Sequence, residues 1–279
     1  MTRRWLVTGC STGLGRALAG AAAGAGDRVL ATARRVETLD GLVREHPGRV
    51  LALPLDVRDP EQCEQAVATA VERFGGVDVL VNNAGNGVFG TVEEVGDHEL
   101  RDQLETLVVG PWRLARLVLP VMRAQGGGLV LNVSSLAGRT AFPGLAAYVT
   151  GKHALEGMTQ ALAAETAPFG IRVAALAASG YATHYGESVT DAADRSPAYR
   201  ATTEPMREQL RGMAALPGIG RPEDFAREVL RLADSPGPLP VRIPIGPGSF
   251  EHLSAAAHAT HGELATARAL LAEPGPRQD

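Results

Sequence analysis

Thr8-Gly9-Cys10-Ser11-Thr12-Gly13-Leu14-Gly15 is the stretch on which the reading of this chain turns. It follows a short apolar run, Trp5-Leu6-Val7, and leads into an Ala-rich segment, residues 16–25, of helical character. A strand, a glycine turn and a helix in that order build a phosphate cradle. Glycines let backbone N–H groups approach a pyrophosphate, and the helix N-terminus offers partial positive charge. The spacing is Gly-x-x-x-Gly-x-Gly, not the Gly-x-Gly-x-x-Gly fingerprint. A tight strand-to-helix turn without a ligand is the plainer alternative. The position directly after a first strand favours a ligand, because open parallel sheets bind at the carboxyl ends of their strands.

The same alternation continues outward. Short apolar runs at residues 28–33, 50–55, 78–81, 129–133, 171–177 and 241–245 read as further strands. Helical spacing covers residues 60–74, 99–123 and 146–167, with Pro60 suited to a first helical turn and Gly170 to a helix end. Buried apolar strands joined by helices mean a parallel sheet covered on both faces, and right-handed crossovers then make it doubly wound. The expected architecture is a single α/β domain, 1–279, with a central sheet of about seven strands. Residues 180–216 are less regular and are expected to form a substrate lid. The polar, Pro-rich tail, 273–279, is expected to be frayed.

Composition excludes several classes. The chain has 279 residues, 45% of them hydrophobic, and a net charge of −4 without a basic stripe, which disfavours nucleic acid and anionic membranes as partners. No run of about 18 apolar residues marks a membrane span. Two cysteines, Cys10 and Cys63, make no disulfide framework and fit a reducing, cytoplasmic setting. Among 27 basic residues only one is lysine, Lys152, a hint that its position needs a compact ammonium.

The second strand ends in Arg34-Arg35, where a site selective for NAD would place an acid on the ribose 2′-hydroxyl. Two arginines suit a 2′-phosphate instead, hence NADP(H) preferred over NAD(H). The alternative is a solvated charged pair. Asp56-Val57 follows the third strand, where Asp56 either reaches the adenine or caps the next helix. Tyr148-Val149-Thr150-Gly151-Lys152 sets a phenol and an ammonium on one helical face. A nearby cation favours phenolate and makes a tyrosine useful for proton transfer. Alone, the pair is also compatible with an ordinary surface contact.

Together with Asn82-Asn83-Ala84-Gly85 after the fourth strand and Asn132-Val133-Ser134-Ser135 at the end of the fifth, these motifs resemble the classical short-chain dehydrogenase/reductase (SDR) family over residues 5–245. Residues 9–18 and 141–162 look most like its 17β-hydroxysteroid/retinol dehydrogenase-like subgroup. The resemblance implies that Tyr148 is the general acid/base, that Lys152 holds the nicotinamide ribose and lowers the tyrosine pKa, and that Ser135 hydrogen-bonds the substrate oxygen, with Ser134 structural. It also implies that Gly9, Ser11, Thr12, Gly13, Leu14, Gly15, Asn83, Ala84, Gly85 and Thr183 line the cofactor, alongside Tyr148 and Lys152. The chain's four asparagines, Asn82, Asn83, Asn86 and Asn132, all fall in these motif segments. In such a family hydride passes between nicotinamide and a carbonyl or carbinol carbon while the tyrosine moves the proton.

Two departures give the active site an atypical cast. Leu107 stands where the family has an asparagine that holds a water, with Gln103 one turn earlier as a candidate substitute and Gly110-Pro111 as a candidate kink. After the sixth strand Ala178-Ser179 replaces Pro-Gly. His184 and Tyr185 follow, either as a polar loop tip or as substrate contacts. His258 and His261 read as surface residues, and no metal site is expected.

The leading functional reading is an NADP(H)-dependent oxidoreductase acting on a ketone or secondary alcohol of a bulky, mostly apolar substrate. The pocket would draw on residues 86–89, 136–142 and the lid. The alternatives are a non-redox enzyme using Ser135 and Tyr148 for dehydration, isomerisation or cyclisation, and an NADP(H)-sensing regulatory protein. A tailoring step in secondary metabolism suits either enzyme. A homodimer or homotetramer built through helices 99–123 and 146–167 is expected, with Ala161, Ala163 and Ala164 allowing close packing.

Overall fold

The computed structural model describes residues 2–272. The expectation of a frayed tail at 273–279 lies outside them. Strand β1 (Arg4–Val7) runs through the glycine turn into α1 (Gly13–Gly24), and β2 (Arg28–Ala33), α2 (Asp40–Glu45), β3 (Val50–Pro54), α3 (Pro60–Phe74) and β4 (Val79–Asn82) follow. Then come β5 (Val88–Phe89), α4 (Asp97–Leu104), α5 (Gly110–Ala124), β6 (Gly128–Val133), α6 (Ala146–Thr166) and β7 (Ile171–Ala178). The segment 180–216 holds α7 (Tyr185–Ser188), β8 (Thr190–Asp191) and α8 (Arg200–Gly212). Finally α9 (Pro222–Asp234), β9 (Arg242–Ile245) and α10 (Ser249–Leu271) close the described chain.

Seven strands form one sheet in the order β3-β2-β1-β4-β6-β7-β9, every pairing parallel. This is the doubly wound Rossmann-type domain that the alternation predicts. Successive residues feed opposite faces: Trp5, Val7, Val29 and Val81 enter one core cluster, and Leu6, Leu30, Leu80 and Val130 the other. That period of two is a strand's own geometry, and burial of both faces explains why the strands read as continuous apolar runs. The strand order reverses between β1 and β4, so the glycine turn after β1 and the Asn83-Ala84-Gly85 turn after β4 lie side by side at the sheet's carboxyl edge.

Local chemistry sets the helix ends. Asp59 caps α3 by accepting from the Glu61 and Gln62 N–H groups at 2.9 and 3.2 Å, Pro60 occupies its first turn, and left-handed Gly75 closes it. The small residues Ala19, Ala22 and Ala23 of α1 are buried, as are Phe225, Ala226 and Val229 of α9 in the same core cluster. The expected single helix over 99–123 is a correction: α4 and α5 are separated by a π turn, Glu105–Val109. The break falls one residue before Gly110, so the kink belongs to the π turn rather than to Gly110-Pro111. Helix α10 is solvent-exposed over most of its length, and it carries both His258 and His261 on exposed positions.

Candidate active site

The cradle is built by packing one loop on another. Thr8 Oγ1 accepts from the backbone N–H groups of both Asn83 and Ala84 at 3.0 Å. The Asn83 amide donates back to the Thr8 and Gly9 carbonyls at 2.8 and 3.1 Å. Gly9 has φ +71°, and a Cβ there would meet Ala84 Cα at 2.8 Å, so only glycine passes. At Gly15 a Cβ would overlap the Asn83 amide nitrogen and the Gly9 carbonyl oxygen. Gly13 faces Thr183, which brings the post-β7 segment against the turn. Helix α1 begins without a side-chain cap from Thr12 and with no acid in its first turn. Its first N–H groups are thus suited to an anion, and the residues present fit a dinucleotide pyrophosphate. Ser11 and Leu14 are half-buried and Thr12 exposed on this turn. The Cys10 thiol is buried, donates to the Val7 carbonyl at 3.2 Å and is pushed by burial up to about 12.

At the adenosine end, Arg34 and Arg35 are exposed just past β2. Asp56 does not cap α3, since Asp59 does; this corrects one of the two readings of that residue. Asp56 instead pairs with Arg58 at 2.7 Å, and the guanidinium holds its carboxyl below the usual range against the opposing effect of burial. Val57 is buried against Gly110, and its carbonyl accepts from Arg113 at 2.8 Å.

On α6, Tyr148, Lys152 and Glu156 recur every fourth residue and all are buried. Lys152 Nζ donates to the Val133 carbonyl at 2.7 Å and lies 5.5 Å from the centre of the Tyr148 ring. Burial pulls the ammonium's pKa down to about 8, and Glu156 opposes that fall. Burial raises the Tyr148 phenol, with the hydroxyls of Tyr185 and Ser135 drawing it back down. Ser135, at the end of β6, accepts the Ala137 N–H at 3.1 Å and so starts the tight turn Leu136–Gly138. Its neighbour Ser134 is buried and donates to Glu156 at 3.1 Å, while Arg242 of β9 reaches the other Glu156 oxygen at 2.5 Å. Beneath them Asn82 donates to Asn132 at 2.8 Å and Asn132 to Thr159 at 2.9 Å, tying β4, β6 and α6 into one polar ladder.

Leu107 is buried in the π turn among Phe89, Ala137, Leu145 and Tyr148. Gln103 does not stand in for the family asparagine, which corrects that expectation. Its carbonyl accepts from the Val88 N–H at 2.8 Å and its amide donates to the Asn86 carbonyl at 3.0 Å, so it braces the strand under the pocket. The loop after β7 holds its shape without Pro-Gly. The Ser179 N–H reaches the Ile245 carbonyl at 3.0 Å, Ala182 pairs with Gly220 at 2.8 Å, and Tyr181 packs edge-on against Phe225.

His184 and Tyr185, neighbours in sequence, part ways in the structure. His184 is exposed and pairs with Glu187 at 2.9 Å. Tyr185 turns inward, its ring 5.6 Å from that of Tyr148. The segment is fastened by residues that carry no local sequence signal. Buried Glu94 accepts the Thr91 and Ser196 N–H groups at 2.9 and 2.7 Å and pairs with Arg195 at 3.3 Å. Strand β8 pairs in parallel with β5, and Asp191 gathers Arg195, Arg207 and Arg211. Val189, Met206 and Leu210 of this segment and Phe142 face the same apolar cluster as Leu107.

A seven-stranded parallel sheet with a glycine cradle at its switch point and a Ser–Tyr–Lys group beside it defines a dinucleotide-binding oxidoreductase fold. The family model for short chain dehydrogenases matches residues 3–194. The chain is 38% identical over 258 residues to "Oxidoreductase BOA17" of Botryotinia fuckeliana (strain B05.10), covering 92% of this chain and 93% of that protein. It is 34% identical over 281 residues to "Oxidoreductase calM" of Penicillium decumbens, covering 96% and 91%. The crystal structure of a short-chain dehydrogenase from Streptomyces avermitilis superposes with a TM-score of 0.89 at 39% identity, covering 96% of this chain and 97% of that one. The chain belongs to the short-chain dehydrogenase family and is an oxidoreductase of that family.

Proposed function

We propose that this chain is an NADP(H)-dependent reductase or dehydrogenase acting on a ketone or secondary alcohol of a bulky, mostly apolar molecule. The observation that carries the reading is the convergence of Ser135, Tyr148 and Lys152 at the sheet's carboxyl edge, next to the glycine cradle. Gly9, Ser11, Thr12, Gly13, Leu14 and Gly15 hold the pyrophosphate, and Asn83, Ala84, Gly85 and Thr183 line the rest of the cofactor. Asp56 and Val57 are assigned to the adenine. Arg34 and Arg35 take the 2′-phosphate, because both are exposed and neither is paired with a carboxylate among the described residues. The bound nicotinamide supplies the hydride chemistry.

The chain's own side chains do the rest. Ser135 donates to the substrate oxygen and orients it. Tyr148 gives or takes that oxygen's proton. Lys152, while charged, favours the phenolate and holds the cofactor ribose. The apolar residues Phe89, Phe142, Val189 and Met206 support the assignment of an apolar substrate. Residues 180–216 act as a lid over it, held shut by Glu94 and Asp191. Exposed Trp112 on α5 and exposed Ala161 and Ala164 on α6 support a homo-oligomer formed through those helices. Two buried unpaired thiols support a reducing, cytoplasmic setting.

The test is NADPH consumption across a panel of bulky ketones, with Tyr148→Phe alongside. Turnover that is lost in the variant while NADPH binding persists supports the reading. Persistent turnover in Tyr148→Phe refutes the role of Tyr148. If neither nucleotide binds, the site belongs to non-redox chemistry at Ser135 and Tyr148, which the apolar Leu107 would suit.

A further inference from the structure

Tyr185 is the one aromatic residue of segment 180–216 whose hydroxyl is buried beside the catalytic group. Its ring lies 5.6 Å from that of Tyr148 at an interplanar angle of 50°. Thr183 Oγ1 accepts its backbone N–H at 3.3 Å, and the hydroxyl abuts Gly87, 2.8 Å from where a Cβ on that residue would stand. Buried hydroxyls are almost always hydrogen-bonded, and an orphan calls for a functional partner. The Tyr185 hydroxyl is buried and makes no hydrogen bond of full geometry among the described residues, although its nearness to Tyr148 already draws that phenol's pKa down. Tyr199 of the segment is committed to Glu93, Arg195 to Glu94 and Arg207 to Asp191, and the other unpartnered hydroxyl, that of Tyr181, belongs to a ring packed on Phe225 and not on Tyr148.

We propose that Tyr185 is a positioning residue for Tyr148, its hydroxyl donating a hydrogen bond to the Tyr148 phenolic oxygen when that oxygen gives up its proton. The inference rests on the reading of Tyr148 as the proton-transfer group. The surroundings leave the task open. The groups packed against Tyr148 from the π turn, β5 and the α6 entrance are Leu107, Phe89 and Leu145, none of which carries a charge or a donor. On its own helix the charged neighbour is Lys152, backed by Glu156, and burial pulls that ammonium's pKa down to about 8. From β6 the Ser135 hydroxyl is present but turned to the substrate oxygen in the proposed reaction. Tyr185 thus adds a neutral donor whose effect survives deprotonation of Lys152. Burial and the neighbouring Tyr148 push the Tyr185 phenol well above its ordinary value, so it stays protonated and able to donate.

The chain has four tyrosines, Tyr148, Tyr181, Tyr185 and Tyr199. Uniform labelling with 3-fluorotyrosine, a stronger acid than tyrosine, gives four fluorine resonances assignable by single Tyr→Phe variants and titratable in folded protein. Tyr185→Phe keeps the ring and removes the hydroxyl. Its expected effect is a roughly five- to tenfold weakening of the Tyr148 acid, read as a midpoint moved to higher pH. Tyr199→Phe frees the same segment from Glu93 without touching Tyr148, and its midpoint should match that of the parent. An unmoved Tyr148 midpoint in Tyr185→Phe, or an equal movement in both variants, overturns the proposal. Neither reading needs turnover or nucleotide. A chain that binds no nicotinamide yet shows the Tyr185 effect would lose the assigned activity and keep this inference.

Discussion

Adding one methyl group to Gly15 should cost both stability and nucleotide binding, while the same change at Gly20, five residues along α1, should do neither. At Gly15 the new Cβ would stand 3.0 Å from the Gly9 carbonyl carbon and closer still to the Gly9 oxygen and the Asn83 amide nitrogen. The clash is with backbone on one side and a doubly bonded amide on the other, so something must move. Overpacking of this kind costs about 1–3 kcal/mol. Displacing Asn83 puts its bonds to Thr8 and Gly9 at risk, each worth about 1 kcal/mol. The total is roughly 2–5 kcal/mol, and the movement falls on the turn proposed to hold the pyrophosphate. At Gly20 the nearest atoms are Leu42 Cδ1 at 3.4 Å and His46 Nε2 at 3.9 Å, ordinary contacts. There alanine should gain about 0.5–1 kcal/mol from helix propensity. Urea unfolding and NADPH titration of both variants decide the matter. Gly15→Ala within about 0.5 kcal/mol of the parent and with unchanged NADPH affinity would refute the reasoning.

Replacing Arg34 and Arg35 together by serine should weaken NADPH by about a hundredfold, two charge-assisted bonds at roughly tenfold each, and leave NADH within about threefold; equal losses for both nucleotides would remove the arginines from the 2′-phosphate. Glu156→Gln takes an anion from beside Lys152. The ammonium is present below its pKa of about 8 and lost above it. Losing Glu156 lowers that pKa further, so the alkaline limb of the pH–rate profile should move to lower pH, and a limb moved upward would contradict the assignment. Glu94→Ala should cost about 3 kcal/mol, because Arg195 and the Thr91 and Ser196 N–H groups lose their acceptor. Limited proteolysis should then cut near residues 193–196, and cleavage no faster than in the parent would show that Glu94 does not anchor the segment.

The sheet was legible in the sequence because its signals are local. Apolar runs at 28–33 and 171–177 are long enough to read, and the glycine turn announces the helix that follows. What stayed hidden depends on distance along the chain. Glu156 meets Arg242 across 86 positions and Glu94 meets Arg195 across 101, and neither pair leaves a local mark. Strands β5 and β8 have two residues each, too few for a period. Helix α9 does carry a local signal, with Pro222 in its first turn and buried Phe225, Ala226 and Val229 at helical spacing. The π turn escaped notice because Leu104 to Gly110 keeps an unbroken helical pattern, and the extra residue per turn is a backbone choice that side-chain type does not reveal. For the site, the spacing of Tyr148 and Lys152 set both on one helical face, whereas the inward turn of Tyr185 and the outward turn of His184 needed the fold.

The central claim is a nicotinamide site that prefers the phosphorylated dinucleotide, and calorimetric titration of the full chain with NADPH and with NADH tests it most directly. NADPH should bind at micromolar concentration, with NADH at least tenfold weaker, about 1.4 kcal/mol or more. Binding of neither nucleotide would contradict it, and NADH binding as tightly as NADPH would remove the role assigned to Arg34 and Arg35.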